Sequence, residues 1–214
     1  MRSKITFNDF ISAFKDSTII TNSDIKKVFP RMSSDSTHLW NKKKYLLRVG
    51  KGIYFNNYFF KDKLNEQLLF LIANKAYSPS YVSLESALNY YGLIPEVVAN
   101  ITSITTKKTN TINYDLGEFI YKSIKPSLMF DFDIVIKDDF SFKIATPEKT
   151  IVDFLYLNPS LKSTDDFTEL RINSADFAAI VNKERLLEIT NKFKISTLLQ
   201  RVLKFLEYIK NDQP

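Results

Sequence analysis

The first sixty residues place apolar side chains at the spacings that amphipathic helices require. Thr6, with Asp9 three residues later, has the pattern of a capping box and predicts that a first helix begins here. Segment 17–21 is short and rich in β-branched residues, which predicts a strand or an extended link. The apolar face of the first helix consists of Phe7, Phe10, Ile11 and Phe14.

Two further helices are expected before residue 45. Asn22 or Ser23 is predicted to cap the second helix, and Pro30 is predicted to end it because proline cannot continue a helix. A serine pair at 33–34 is predicted to open the third helix, which should run to about Lys44.

A hairpin is expected directly after the third helix. Segments 45–49 and 53–55 have the composition of strands, and Gly50-Lys51 lies between them. Glycine in the first position of a two-residue loop predicts a type II′ turn, with Lys51 at an exposed tip. Helices followed by a basic hairpin are the order of a winged helix-turn-helix, so residues 1–58 are predicted to form a DNA-binding domain of that kind.

From about residue 60 the pattern changes to longer helices with strands between them. Residues 64–76 outline an amphipathic helix that Pro79 ends. A further helix is expected from Ser83, its N-cap, to Gly92, its C′ residue. A helix is also predicted after Thr146, and the chain from residue 164 onward is predicted to be helical. Strands are predicted at 101–106, 109–113, 119–124, 132–136 and 141–144.

The predicted fold class is therefore α+β. An N-terminal winged helix-turn-helix over residues 1–58 precedes a mixed α/β C-terminal domain over 59–214, with strands at about 101–144 and a helical tail.

Net charge is distributed unevenly between these two parts of the chain. Residues 1–58 carry eleven basic and four acidic side chains, a net +7, whereas the whole chain is +6. A local excess of positive charge indicates a polyanionic partner, most simply nucleic acid, although a merely solvated basic face is the alternative.

A helical wheel of the third helix predicts which residues meet DNA. Leu39 and Trp40 are expected to anchor the helix to the core, and the side that faces away carries short hydrogen-bonding side chains. Such side chains can reach base edges in the major groove, whereas flanking cations meet phosphates. The predicted DNA-binding residues are Ser34, Thr37, His38, Asn41, Lys42, Lys44, Tyr45, Arg48 and Lys51.

The sequence gives little support for metal binding, catalysis or insertion into a membrane. The chain has no cysteine and one histidine, so no metal ligand set, cofactor or catalytic residue is predicted, and the protein is expected not to be an enzyme. Asp131 and Asp133 would share one strand face, which some metal-dependent nucleotidyltransferases use, but a solvated strand face explains them as well. No apolar run approaches the ~18 residues of a membrane span, and a cytoplasmic location without membrane contact is expected.

Residues 59–214, here called the second block, contain four distinctive segments: Ser78–Leu88, Tyr91–Glu96, Ile101–Thr109 and Ala145–Lys149. These segments resemble the AbiEi family, antitoxins of abortive-infection toxin–antitoxin systems. The N-terminal segment 46–54 is similar to the end of that family's winged helix, and the resemblance covers about residues 6–160.

This resemblance implies that the two predicted domains have different functions. The winged helix would bind inverted or direct repeats in the promoter of its own operon and repress it. The C-terminal domain would counter a nucleotidyltransferase-like toxin, functionally or by direct contact. The alternative is a stand-alone winged-helix transcription regulator whose C-terminal domain senses a ligand or oligomerises, since several aromatic residues of the second block could line a pocket.

Overall fold

The computed structural model describes residues 5–96, 98–137 and 140–212, and it is a mixed α+β structure. Within these residues the helices are α1 (Phe7–Ala13), α2 (Asn22–Val28), α3 (Ser34–Lys42), α4 (Asn57–Phe60), α5 (Glu66–Ala76), α6 (Leu84–Tyr90), α7 (Pro147–Leu157), α8 (Thr164–Glu169), α9 (Ser174–Ile180), α10 (Lys183–Lys192) and α11 (Ser196–Asn211). The strands are β1 (Ile19–Thr21), β2 (Leu47–Gly50), β3 (Ile53–Phe55), β4 (Ser80–Val82), β5 (Ile101–Thr105), β6 (Asn110–Tyr114), β7 (Gly117–Ser123), β8 (Phe132–Lys137) and β9 (Phe140–Ala145). None of the described helices is long and apolar enough to cross a membrane.

The N-terminal block, described over residues 5–58, contains three helices packed on a small antiparallel sheet of order β1-β3-β2. Thr6 and Asp9 form the expected capping box, in which each side chain bonds the other residue's backbone N–H. A second capping box joins Thr21 and Asp24, so Thr21 caps α2 rather than Asn22 or Ser23. The buried apolar residues of this cluster are Phe10, Phe14, Ile20, Ile25, Trp40 and Leu46.

The second sheet has six strands in the order β6-β7-β5-β4-β9-β8. Its β4–β9 and β5–β7 pairs are parallel, and the other pairs are antiparallel. Residues alternate between the two faces, so Val82 and Ile144 contribute to the cluster around α5, whereas Tyr81 and Ala145 contribute to the cluster around α7 and the tail helices. The central strands of the sheet are thus covered on both faces.

A buried ion pair joins α7 to this sheet. Lys149 and Asp153, one turn apart on α7, are both fully buried and form a direct salt bridge. The ammonium of Lys149 donates to the Tyr81 hydroxyl at 2.7 Å, and that hydroxyl donates to Asp153 at 2.8 Å. Ser83 Oγ donates to the same carboxylate at 3.0 Å, instead of capping α6. Burial lowers the pKa of Lys149 and raises that of Asp153, so each charge is stable there only because of the other.

The predicted strands and the main helices are confirmed, with shifts of one to a few residues at their ends. Two elements were not predicted: strand β4, which is only three residues long, and the short helix α4. Helix α3 ends at Lys42 rather than near Lys44. The hairpin loop is Lys51-Gly52 rather than Gly50-Lys51, because Gly50 pairs with Ile53 inside the ladder.

The prediction that Asp131 and Asp133 share a strand face is wrong. Asp131 precedes β8 and has a positive φ of 61°. Its carboxylate accepts a hydrogen bond from Arg185 at 2.7 Å, which turns it toward α10, whereas Asp133 is exposed on β8. Only Asp133 therefore lies on the strand, although both carboxylates help to raise the pKa of Arg185.

The division of the chain at residue 58 stays a prediction. One hydrophobic cluster includes Leu47, Val49 and Phe55 of the small sheet together with Phe70 and Leu71 of α5. Apolar burial is therefore continuous between the N-terminal block and the second sheet, and each block covers part of the other's apolar surface.

Lys149→Met tests the buried ion pair. It should lower the free energy of unfolding by about 3–5 kcal/mol, because the carboxylate of Asp153 would be left buried without its counter-charge. Adding Asp153→Leu should recover a large part of this loss. Urea unfolding of both variants, with the exposed Lys204→Met as control, measures the difference. A single variant as stable as the parent would contradict this account.

Candidate nucleic-acid interface

Helix α3 presents a polar face at the surface of the N-terminal block, with Asp35 in its first turn and Lys42 in its last. Ser33 caps the helix, its hydroxyl accepting from the Asp35 backbone N–H at 3.1 Å. Trp40 anchors it, with its ring 4.4 Å from that of Phe10. The exposed residues of α3 are Ser34, Asp35, His38, Leu39 and Lys42.

The predicted helical wheel of α3 is rotated relative to the observed helix. Thr37, predicted to face DNA, is 5% exposed and donates its hydroxyl to the Ser34 carbonyl at 2.8 Å. Leu39, predicted to lie in the core, is 48% exposed. Trp40 sets this rotation because its large ring packs against the aromatic rings of Phe7 and Phe10 on α1.

Asn41 and Tyr45 have structural contacts rather than a place on the exposed face. The side-chain amide of Asn41 donates to the Leu46 carbonyl at 3.0 Å and so holds the turn between α3 and β2. The Tyr45 ring lies 4.5 Å from Phe7 and 5.8 Å from Tyr58. Both side chains are half-buried and hold structural contacts, and their predicted role at base edges stays a prediction.

Lys44 and Arg48 contact the β6–β7 hairpin of the second block. Lys44 forms an ion pair with Asp115 at 2.5 Å. The guanidinium of Arg48 lies 5.8 Å from the centre of the Tyr114 ring, and its Nε donates to the Gly50 carbonyl at 3.2 Å. These two predicted DNA contacts are therefore already engaged, and an acidic side chain lies beside the C-terminal end of α3.

The hairpin tip is held against the start of α2 and keeps Lys51 exposed. Gly52 has a φ of +69°, and its carbonyl accepts from the Asn22 backbone N–H at 2.8 Å. A Cβ at this position would lie 2.5 Å from the Asn22 side-chain nitrogen, so any other residue would be strained in conformation and would displace the Asn22 side chain. The tip thus presents a single cation.

Other exposed cations in this block are not singled out by the sequence. Lys26 and Lys27 lie in the last turn of α2, Arg31 follows it, and Lys43 follows α3. Their signal in the sequence is only their share of the local +7 charge, to which Arg2 and Lys4, outside the described residues, also contribute.

The acidic residues of the block are used mainly at helix starts. Hydrogen bonds from the Thr6 and Thr21 side chains hold the pKa of Asp9 and Asp24 below the usual range of a carboxyl group. Asp35 accepts from the Ser33 hydroxyl at 3.0 Å. Negative charge is therefore placed where the positive ends of the helix dipoles offset it, and the lysines dominate the remaining surface.

No group of three or more histidine or acidic side chains in the described ranges could hold a metal ion. No protein-family model matches the chain, and no curated protein matches it significantly. The exposed members of the predicted site are Ser34, His38, Lys42, Lys44, Arg48 and Lys51. Lys44 and Arg48 already contact the β6–β7 hairpin, so the other four are the members most open to hydrogen bonding and charge contact with a ligand.

Asn41→Ala tests the structural role of this amide. It should lower the free energy of unfolding by about 1 kcal/mol because the Leu46 carbonyl loses its donor. His38→Ala, on the exposed face of the same helix, should change it by less than about 0.5 kcal/mol. Thermal or urea unfolding compares the two, and equal effects would argue against the assigned contact.

Proposed function

We propose that residues 1–58 form a winged helix-turn-helix through which the protein binds promoter DNA and represses transcription. The observation that carries the proposal is the exposed polar face of α3, with lysines 42–44 at and just after its C-terminal end, within an ordered set of helix, strand, two helices and hairpin on a β1-β3-β2 sheet. The second helix of a helix-turn-helix, here α3, enters the major groove of the DNA, and the hairpin contacts the DNA backbone beside it.

The exposed residues divide into two roles on this proposal. Ser34 and His38 lie on the outer face of α3 and can hydrogen-bond base edges. Lys42 at the end of α3 and Lys51 at the hairpin tip meet phosphates, which adds affinity without sequence preference. The cations of α2 and Arg31 extend the same positive surface.

We further propose that the protein is an antitoxin that represses its own operon and counters a nucleotidyltransferase-like toxin. The resemblance to the AbiEi family supports this role. Two of the resembling segments meet around the buried ion pair: Tyr81 and Ser83 come from Ser78–Leu88, and Lys149 comes from Ala145–Lys149. Their shared place in the core explains why this chain needs those residue types together.

Lys42→Ala and Lys51→Ala test the DNA-binding surface. Each should weaken binding to the chain's own upstream DNA and to random DNA alike. The slope of log K against log salt should become shallower by about 0.9 for each phosphate that the variant no longer neutralises. Gel shifts across a salt series measure this, with the exposed Lys204→Ala of α11 as the matched control. Binding that is insensitive to both variants would remove α3 and the hairpin from the interface.

Asp115→Asn tests the acidic contact beside α3. Loss of this carboxylate releases Lys44 and removes negative charge near the DNA surface, so affinity for DNA should rise. Glu118→Gln, on the same hairpin and paired with Asn113, is the control. Unchanged affinity after Asp115→Asn, or a gain as large after Glu118→Gln, would contradict a specific effect at Lys44.

The antitoxin role has its own test. Expression of the neighbouring gene product should arrest growth, and co-expression of this protein should restore it. A neighbour that is harmless alone would refute the antitoxin role, while the DNA-binding proposal would stand on its gel shifts.

A further inference from the structure

Strand β8 forms one edge of the six-stranded sheet and carries two solvent-exposed apolar side chains. Ile134 is 61% exposed and Ile136 is 78% exposed. Edge strands usually carry protection against pairing with other chains, because their outward backbone groups lack partners. The opposite edge, β6, lies beside β2 of the N-terminal block, so β8 is the more open of the two edges.

The register of β8 with β9 separates the side chains of β8 into two faces. Phe132, Ile134 and Ile136 lie on one face, and Asp133, Val135 and Lys137 lie on the other. Phe132 is stacked on buried Tyr81 with ring centres 5.0 Å apart. The helical layer therefore covers Phe132 at the start of the strand and leaves Ile134 and Ile136, on the same face, uncovered.

We propose that β8 pairs antiparallel with β8 of a second copy of this chain, about a twofold axis at Val135. In this register Ile134 lies opposite Ile136 of the second copy, and Asp133 lies opposite its Lys137. The twofold axis makes each pair twice. Both faces of the sheet continue across the interface, apolar against apolar on one side and acid against base on the other.

Charge complementarity favours a second copy and this register. An axis at Ile134 would place Asp133 opposite Val135, and an axis at Ile136 would place Lys137 opposite Val135. Only the axis at Val135 matches both isoleucines and both charges at once. Asp133 and Lys137 are exposed, so both are available to the second copy.

The dimer joins the two six-stranded sheets into one continuous sheet. The N-terminal blocks, which lie beside the β6 edges, would stand at its two outer ends. A six-residue strand buries less area than a standard protein interface, so dimerisation should depend on concentration. The dimer does not rest on DNA binding or on the antitoxin role.

Sedimentation equilibrium of the whole chain, free of DNA, tests the proposal. The parent protein should dimerise, and Asp133→Lys or Lys137→Asp alone should weaken the dimer at least about tenfold, because each creates two like-charge contacts across the axis. The double variant Asp133→Lys/Lys137→Asp should restore association. This restoration separates the proposed pairing from a loss of folding, which the double variant would not repair.

A single engineered cysteine gives an independent readout, since the chain has no cysteine of its own. Val135→Cys would place two thiols opposite each other at the axis, within reach of a disulfide. Ser141→Cys on β9 is the control, because three strand spacings, about 14 Å, would separate its thiols.

Oxidation should cross-link Val135→Cys rapidly and Ser141→Cys slowly or not at all. A monomer at all concentrations would overturn the proposal. So would a dimer that ignores the charge reversals, or equal cross-linking of the two cysteine variants, since either would place the interface elsewhere. Association of β8 with a toxin but not with a second copy would likewise overturn it.

Discussion

The buried pair of Lys149 and Asp153 is the constraint on which the second block depends. Neither charge could be placed there alone, because an unpaired ion in an apolar interior costs several kcal/mol. Tyr81, which bonds both residues, and Ser83, which bonds Asp153, attach α7 to β4 and to the start of α6. Since β4 lies between β5 and β9, this one network fixes how the sheet meets its helical layer.

The other end of α7 is held by a second buried cation. Arg201 of α11 donates to the Leu155 carbonyl at 2.9 Å and to the Pro159 carbonyl at 3.1 Å. A cation at a helix C-terminus satisfies carbonyls that lack helical partners and interacts favourably with the helix dipole. The tail helices are thereby attached to the same helix that carries the buried pair, which explains how a tail with weak sequence motifs still has a defined position.

Two contacts between the N-terminal block and the second block differ sharply in burial. Apolar packing of β2 and β3 on α5 is buried and holds the blocks together. The ion pair between Lys44 and Asp115 is largely exposed, with side-chain exposures of 60% and 37%, and such pairs contribute only about 0–1 kcal/mol. In the proposed complex with DNA, a phosphate could therefore replace Asp115 at small cost.

The sequence by itself determined those features that depend on residues within one turn of each other. Capping pairs such as Thr6 with Asp9, the proline after Thr146, and the apolar periods predicted the α+β class and most helices and strands. Tertiary structure alone decided which face of α3 is exposed, because the Trp40 ring is positioned by aromatic side chains of α1. It also decided that Lys149 is buried. From sequence alone a lysine is expected at the surface, and only the folded chain places Tyr81 and Asp153 around it. Local preferences act over a few residues, whereas burial depends on partners distant in the chain, and the candidate site is defined by burial.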